Sequence, residues 1–466
     1  MIPSEELRLV KPVWTLQQIV TRLTNWEGRW SQATPIPYAF YNQNWAHLGG
    51  MPNFSAFSPA QRAAAARITE LVSDICNITF VNVADNGTPP GPGNERIAFH
   101  NVNSSTVPYW GAARNYEVQN ETPPYGRIYG VDVTVNLFRA NQQGGWSEGD
   151  SNPRKLMHEL LHALGLDHPG DYNGDSANYE TQALFQQDSN QYTVMSYWLA
   201  SVTGADHEEG GTTYYASTPL LFDVAALQYL YGANMATRSG DTVYGFNSNA
   251  NRGEFNLALH PQAVFTIWDG GGNDTLDLSG YSTPSRIDLN AGAFSDAGGL
   301  TGNLSIAFNV VIENAVGGAG ADEILGNDAA NQLSGGGGGD RIRGAGGFDV
   351  VRGESGADIF VFDALADSRM SALRSDGKKI APDLLADFVS GEDKIDLSVI
   401  DAIAATAAND AFTFIGTNAF SGVAGELRIE IRDGASHLFL DVDGDRMGDL
   451  EIVSASLNIL ASDLIL

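Results

Sequence analysis

From Gly317 to Val361 the chain reads GGAGADEIL, GNDAANQLS, GGGGGDRIR, GAGGFDVVR and GESGADIFV, five nonapeptides with no gap between them. Asp stands sixth in four of them (Asp322, Asp340, Asp349, Asp358), with Asn331 in the other, and an apolar residue stands eighth in all (Ile324, Leu333, Ile342, Val351, Phe360). A flexible glycine-rich linker has no reason to hold both positions. Glycine lets six residues turn tightly through positive φ, and the last three form a short strand whose eighth residue points into a core built only by stacking. Two units make one coil, so Asp322, Asp340 and Asp358 line one edge, while Asn331 and Asp349 line the other.

Carboxylates in a column at strand spacing repel one another unless a hard cation sits between them, and Ca²⁺ suits turn carbonyls plus Asp. The edge with Asn331 should bind more weakly. The pattern resembles the GGxGxDxUx of calcium-binding RTX parallel β-helices, which GGGGGDRIR meets best.

A length of 466 residues suggests two or three domains. Residues up to about 235 mix helix and strand signals: a capped helix over Ser58–Ile75, then strands in NITFVNV, ERIAFHNV and GRIYGVDVTVNL. The last of these is expected at a sheet edge, where an extended peptide can pair with it. Beyond about residue 240 Gly, Asp and Asn dominate and a second domain begins. A net charge of -30 argues against nucleic acid or an anionic membrane and for solubility or bound cations. At 43% hydrophobic residues the chain is not an acidic disordered tail. The one cysteine, Cys76, excludes intrachain disulfides and reads as a small core residue. No apolar run reaches 18 residues, and MIPSEELRLVKPVW lacks the basic start and apolar block of a signal peptide.

KLMHELLHALGLDHPGD puts three imidazoles within eleven residues of an apolar stretch. On a helix from about Asn152, His158 and His162 share a face, with Glu159 about 100° round the axis. Gly165 can end the helix and turn the chain back so that His168 joins the pair. Three neutral imidazoles with a carboxylate nearby and no cysteine make a catalytic zinc site with an open position. HExxHxxGxxH followed by Met195 in QYTVMSYW resembles the metzincins. The other histidines (His47, His100, His207, His260, His437) are scattered and read as structural.

Nearly the whole chain resembles the serralysins, secreted bacterial metzincin proteases with a C-terminal RTX β-roll. KPVWTLQQIVTRLT, FSAFSPAQ, HELLHALGLDHPGDYN, YTVMSYW, PLLFDVAALQYLYGAN, RSGDTVYGFNSN, WDGGGNDTLDLSGY, IENAVGGAG and DFVSGEDKIDLS carry the likeness. It implies an α+β two-domain protein: a metzincin zinc-protease domain of mixed sheet plus helices over 1–237, and an all-β calcium-binding parallel β-roll and β-sandwich over 238–466. One catalytic Zn²⁺ would be bound by His158, His162, His168 and, at rest, Tyr197, which later moves to the reaction intermediate. Met195 would form the floor, and Glu159 would take the proton of the metal-activated water that attacks the scissile carbonyl. Several structural Ca²⁺ would be held by Arg238, Gly240, Thr242, Asp269, Gly271, Gly272, Asp274 and Glu313. In and after the repeats the ligands would be Gly318, Gly320, Asp322, Asn331, Gly336, Gly338, Asp340, Gly347, Asp349, Gly356, Asp358, Asp387 and Asp393. Asn331 for Asp, Ala319 and Ala321 beside Gly320, and Glu354 for glycine depart from the pattern.

The resemblance further implies protein or peptide substrates, a monomer, a small periplasmic protein inhibitor, and type I secretion without a signal peptide, using the terminal Asp463, Leu464, Ile465 and Leu466. The roll would be empty in the cytosol and fold outside, since extracellular calcium modules bind at about 10⁻⁴ to 10⁻³ M. Two rival readings remain. Gly145–Gly149 spell GxSxG, the lipase elbow, but between NQQG and DSNPRK they read as a polar loop. A calcium-binding adhesion protein with structural histidines is the other.

Overall fold

The structure, a computed structural model, describes residues 11–466 apart from 26–27, 32–34, 46–47, 49–52, 123–124, 143, 175–177 and 374–378. His47 therefore lies outside the described residues. The chain separates into two compact units, Met1–Thr237 with Gln262–Gly270 and Leu300–Phe308, and Arg238–Pro261 with Gly271–Gly299 and Asn309–Leu466.

The first unit contains helices α1 (Leu16–Leu23), α2 (Pro59–Ile75), α3 (Leu137–Ala140), α4 (Ser151–Ala163), α5 (Tyr179–Gln182) and α6 (Leu221–Tyr231). Its sheet is built from β1 (Gly28–Arg29), β2 (Ile36–Phe40), β3 (Phe80–Asn82), β4 (Arg96–Val102), β5 (Gly111–Thr122) and β6 (Tyr125–Asn136). The order β1-β6-β4-β2-β3 is parallel throughout, and β5 alone runs antiparallel, on β6. Helix α2 begins where Ser58 and Gln61 cap each other's backbone N–H groups and Pro59 fills the first turn. Its Ala64, Ala65, Ile68, Leu71, Val72 and Ile75 are buried. Cys76 follows in the core, and burial pushes its thiol pKa up.

One expectation is corrected here. GRIYGVDVTVNL is not an edge strand: β6 is flanked by β5 on one side and by β4 and β1 on the other. Ile128, Tyr129, Val131, Asp132, Val133, Thr134 and Val135 are all buried, so successive residues on both faces are covered, as in an inner strand. The edge belongs to β5, whose only strand partner among the described residues is β6.

In the second unit the nonapeptides wind as a parallel β-roll. Ile324 pairs with Ile342 and Ile342 with Phe360 in one sheet, while Ala315, Leu333 and Val351 are in register in the other. All five eighth-position side chains are buried. Left-handed φ occurs at the second position (Gly336 +99°, Ala345 +65°, Glu354 +66°) and at the fourth (Gly338 +115°, Gly347 +136°, Gly356 +139°). Each sixth-position acid is tied to the next coil: the backbone N–H of Asp322 donates to Asp340 Oδ1 (2.8 Å), that of Asp340 to Asp358 Oδ1 (2.8 Å), and that of Asn331 to Asp349 Oδ1 (2.8 Å). After the repeats, Leu450–Ser454 joins one sheet in parallel with Asp383–Leu385, Ala435–Asp441 and then Glu426–Arg432 follow it antiparallel, and Leu464–Ile465 pairs with Ile395–Asp396 in the other.

The first glycine of each unit is a matter of space. A Cβ on Gly335 would lie 2.2 Å from Asp340 Oδ2, and one on Gly353 2.0 Å from Asp358 Oδ2. At the fifth position, where the other units carry Ala or Phe, a Cβ on Gly339 meets nothing closer than Ala357 O at 3.0 Å. Gly335→Ala is therefore expected to cost about 1–3 kcal/mol in denaturant unfolding, and Gly339→Ala less than about 1 kcal/mol. Equal effects would contradict this account of the turn.

Candidate metal centres

Helix α4 buries Leu156, Met157, Leu160 and Leu161 and carries His158 and His162 one turn apart. Gly165, at φ +98°, ends it; a Cβ there would strike Gly28 O at 2.3 Å, so the reversal needs glycine for both conformation and space. The reversed chain brings in His168. The three Nε2 atoms stand 3.0, 3.1 and 3.2 Å apart. Each Nδ1 faces a backbone carbonyl: Val194 O for His158 (2.8 Å), Leu166 O for His162 (2.7 Å) and Tyr172 O for His168 (2.9 Å).

This geometry assigns the protons. A neutral imidazole that donates through Nδ1 carries a lone pair on Nε2. Three lone pairs thus converge with no proton between them, an arrangement that a cation stabilises. Burial and the neighbouring imidazoles hold His158 well below its usual pKa and lower His168 to about 3; burial also lowers His162. A tetrahedral zinc ion with bonds of about 2.0–2.1 Å needs nitrogen–nitrogen edges of about 3.3 Å. The residues fit that ion, and their carbonyl partners are the kind that orient metal-ligating histidines.

Glu159 is buried and accepts a hydrogen bond from the Ala113 backbone N–H of β5; burial raises its pKa to about 8. A Cβ on Gly111 would lie 2.9 Å from Glu159 Oε1, so glycine lets the edge strand pass this close. The Tyr197 ring lies 4.7 Å from that of His168 and 5.8 Å from that of His158. Met195 is fully buried in the turn whose Val194 carbonyl holds His158. A cavity of about 830 Å³ is lined by Trp110–Ala113, the three histidines, Glu159 and Tyr197.

Sequence reasoning missed the groups that fix this turn. Buried Asp223 of α6 accepts from Thr193 Oγ1 (2.5 Å), Val194 N (2.8 Å) and Leu220 N (2.9 Å). Buried Asp188 accepts from Tyr172 Oη (2.8 Å), Ser196 Oγ (2.7 Å) and Trp198 Nε1 (3.3 Å). Burial raises both carboxyls to about 6. Arg154, one turn before His158, donates through Nη2 to Ser196 O (2.9 Å) and to Asn190 Oδ1. Only Asp223's place in the first turn of a helix could have hinted at any of this. Ser147 sits in an exposed loop, not on a strand-to-helix elbow. His100, His207 and His437 meet Thr134 Oγ1, Gly302 O and Glu451 Oε1, and His260 lies in the second unit.

Of the expected calcium ligands, Asp269 falls in the first unit and the rest in the second. Asp274 Oδ1 accepts from Thr242 N (2.8 Å), Thr242 Oγ1 donates to Gly240 O (2.8 Å), and Glu313 Oε2 accepts from Asp274 N (2.8 Å). Gly271 and Gly272 turn at φ +122° and +157°, and Arg238 at +46°. In the roll, glycines pack on carbonyls of the preceding coil: the Cα of Gly336 faces Gly318 O, that of Gly338 faces Gly320 O, that of Gly356 faces Gly338 O, and that of Gly347 faces Ala329 O. Asp393 Oδ1 accepts from Asp358 N (3.0 Å), and Asp387 accepts from Gly353 N (3.1 Å) and Glu354 N (2.9 Å). Asp383, not anticipated, accepts from Asp349 N (2.9 Å) and continues the other column.

A cation test follows from what these acids lack. Asp340 Oδ2 and Asp349 Oδ2 are buried with no hydrogen-bond partner. Burial, helped by the neighbouring acids of each column, raises Asp340 to about 7 and Asp349 to about 8. Orphaned carboxylate oxygens among glycine turns rich in backbone carbonyls are the kind of donor that Ca²⁺ takes. Asn331 differs: its Nδ2 donates to Glu313 O (3.0 Å) and Asn327 Oδ1 (3.1 Å), so an amide meets acceptors that a cation would otherwise face.

Residues 233–466 match the family described as Peptidase M10 serralysin C terminal. The chain is 41% identical to "Metalloprotease AprA" of Pseudomonas entomophila (strain L48) over 95% of its own length and 89% of the relative's. It is 39% identical to "Serralysin C" of Dickeya chrysanthemi over 93% and 87%. "Serralysin" of Photorhabdus laumondii subsp. laumondii is 39% identical, covering 100% of this chain and 94% of the relative.

Removing the acceptor of three buried donors should be costly. Asp223→Ala is expected to lose about 3–5 kcal/mol in thermal or denaturant unfolding. A melting temperature unchanged from the parent would show that Asp223 does not hold the turn under the histidines.

Proposed function

The chain belongs to the serralysin family of metalloproteases, and from that premise we propose a secreted zinc endopeptidase that cleaves extracellular proteins at the His158, His162 and His168 centre. The supporting observation is the convergence of three Nε2 lone pairs at 3.0 to 3.2 Å, each fixed by a carbonyl at Nδ1. Zinc, when bound, supplies a Lewis acid that lowers the pKa of water from 15.7 towards about 7 and polarises a carbonyl.

The protein's own groups do the rest. The edge of β5 offers backbone hydrogen bonds to an extended peptide and lays it across α4. Glu159, steadied by Ala113 N–H, takes the proton of the attacking water and passes it to the departing amine. A positive ion beside Glu159 opposes the upward pull of burial on its pKa and keeps it a base. Tyr197 donates a hydrogen bond from its hydroxyl to the oxyanion as the carbonyl becomes tetrahedral. Met195 and Asp223 keep Val194 O under His158.

We assign residues 1–237 to catalysis and 238–466 to calcium-dependent folding, stability and type I export. The ions would lie between Asp and carbonyl groups on both columns of the roll, and the Asn331 rung, bridged by its own amide, would hold none. Among the described residues no helix is long and apolar enough to cross a membrane.

Glu159→Gln is expected to keep one zinc by elemental analysis while casein hydrolysis falls at least about 10³-fold; zinc retained with full activity would remove Glu159 from the mechanism. A second expectation concerns the roll. Asp340, Asp349 and Asp383 keep protons in the folded, cation-free protein up to about pH 7, 8 and 7, whereas the unfolded chain releases them near pH 4. Raising the pH from about 4 to about 8 thus favours unfolding, so the melting temperature of chelated protein should fall across that window. Millimolar calcium should raise strand ellipticity and flatten the dependence; a calcium-blind spectrum and melt would count against the assignment.

A further inference from the structure

Arg154 stands out among the charged groups of the first unit. It is 8% exposed, and its two acceptors, Asn190 Oδ1 and Ser196 O, are neutral and both met by Nη2. Nε and Nη1 have no acceptor and Arg154 has no ion pair among the described residues. Asp223 acts on it through space, but that carboxylate already accepts from three donors. Asp223 thus offsets the charge without meeting the guanidinium, and Nε and Nη1 remain open to a partner that arrives from outside.

Its surroundings are open to one. Arg154 lines both the cleft of the histidines and a second cavity of about 330 Å³ walled by Leu199, Ala200 and Tyr214–Ala216. Asp206 and Glu208 also border that cavity, but both are exposed and occupied: Asp206 Oδ1 accepts from Glu208 N, and Glu208 Oε1 from Thr213 Oγ1. Arg139 and Lys155 also line the cleft, Lys155 over the Trp110 ring. In a chain of net charge -30 the cleft nonetheless carries three cationic side chains beside Glu159 and Asp167.

The geometry points to Arg154 as the residue that selects an acidic side chain of the peptide substrate next to the scissile bond. The inference rests on the peptidase reading above and adds a preference to it. Arg154 is one helical turn, about 6 Å, from His158, and an extended peptide advances about 3.3 Å per residue. A Glu one or two residues from the cleaved bond therefore reaches the guanidinium. Its carboxylate would take one of the remaining donors, Nε or Nη1, as a charge-assisted contact.

The test uses the full-length zinc protein and a neutral peptide with one cleavable bond, in which Gln is replaced by Glu one position at a time on either side of that bond. Glu is expected to raise kcat/KM roughly tenfold to a hundredfold at one flanking position, chiefly through KM. The gain, taken as the Glu-to-Gln ratio within each variant so that any loss of basal activity cancels, should vanish in Arg154→Gln and persist in part in Arg154→Lys. A flat scan in the wild type, or the same gain in folded Arg154→Gln, overturns the inference and leaves the peptidase reading standing. Should Arg154→Gln not fold, the wild-type scan decides alone. No cleavage of any peptide in the series removes both readings.

Discussion

Three imidazole lone pairs facing one point are an unstable arrangement in an empty protein, and most of the first unit serves to enforce it. Each ring is fixed by a different stretch of chain: His158 by Val194 O, His162 by Leu166 O at the glycine reversal, and His168 by Tyr172 O. Those carbonyls are themselves secured, Val194 through Asp223 and the Tyr172 side chain through Asp188. Buried acids that accept three hydrogen bonds each hold backbone in place without adding free charge to the cleft. The edge strand β5 closes over this platform and touches it at Glu159, so the base and the strand that would seat a peptide are positioned by the same contact.

The second unit repeats the logic with oxygen in place of nitrogen. Backbone N–H groups of one coil satisfy one oxygen of each acid on the next, and Asp340 and Asp349 are left with a buried oxygen that nothing satisfies. The roll is thus internally hydrogen-bonded but electrostatically incomplete, whereas the Asn331 rung closes on itself through an amide. A sequence of Gly, Asp and one apolar residue in nine can fold this way because the core needs only the eighth side chain of each unit.

Much of this is legible in the sequence because it is periodic or short-range. The nine-residue register fixes which residues stack, and HExxHxxGxxH fixes helix, reversal and ligand order within eleven residues. What escapes is long-range. Asp188 and Asp223 act on residues brought to them by the fold, and no spacing marks them out. Asp383 extends its column across the irregular segment after the last repeat, 34 residues from Asp349 instead of 18, while Asp393, 35 residues from Asp358, is reached through the family resemblance and not through the nine-residue register. The edge strand was misplaced because β6 looks like a good strand, while its burial on both faces emerges only when β4, β1 and β5 surround it.

The convergence of the three rings can be measured directly by X-ray absorption at the zinc edge on the purified protein. The account predicts a zinc ion with three imidazole nitrogens in its first shell at about 2.0–2.1 Å, and loss of that shell in His162→Ala. A protein that binds no zinc, or a zinc coordinated without imidazole, would contradict it.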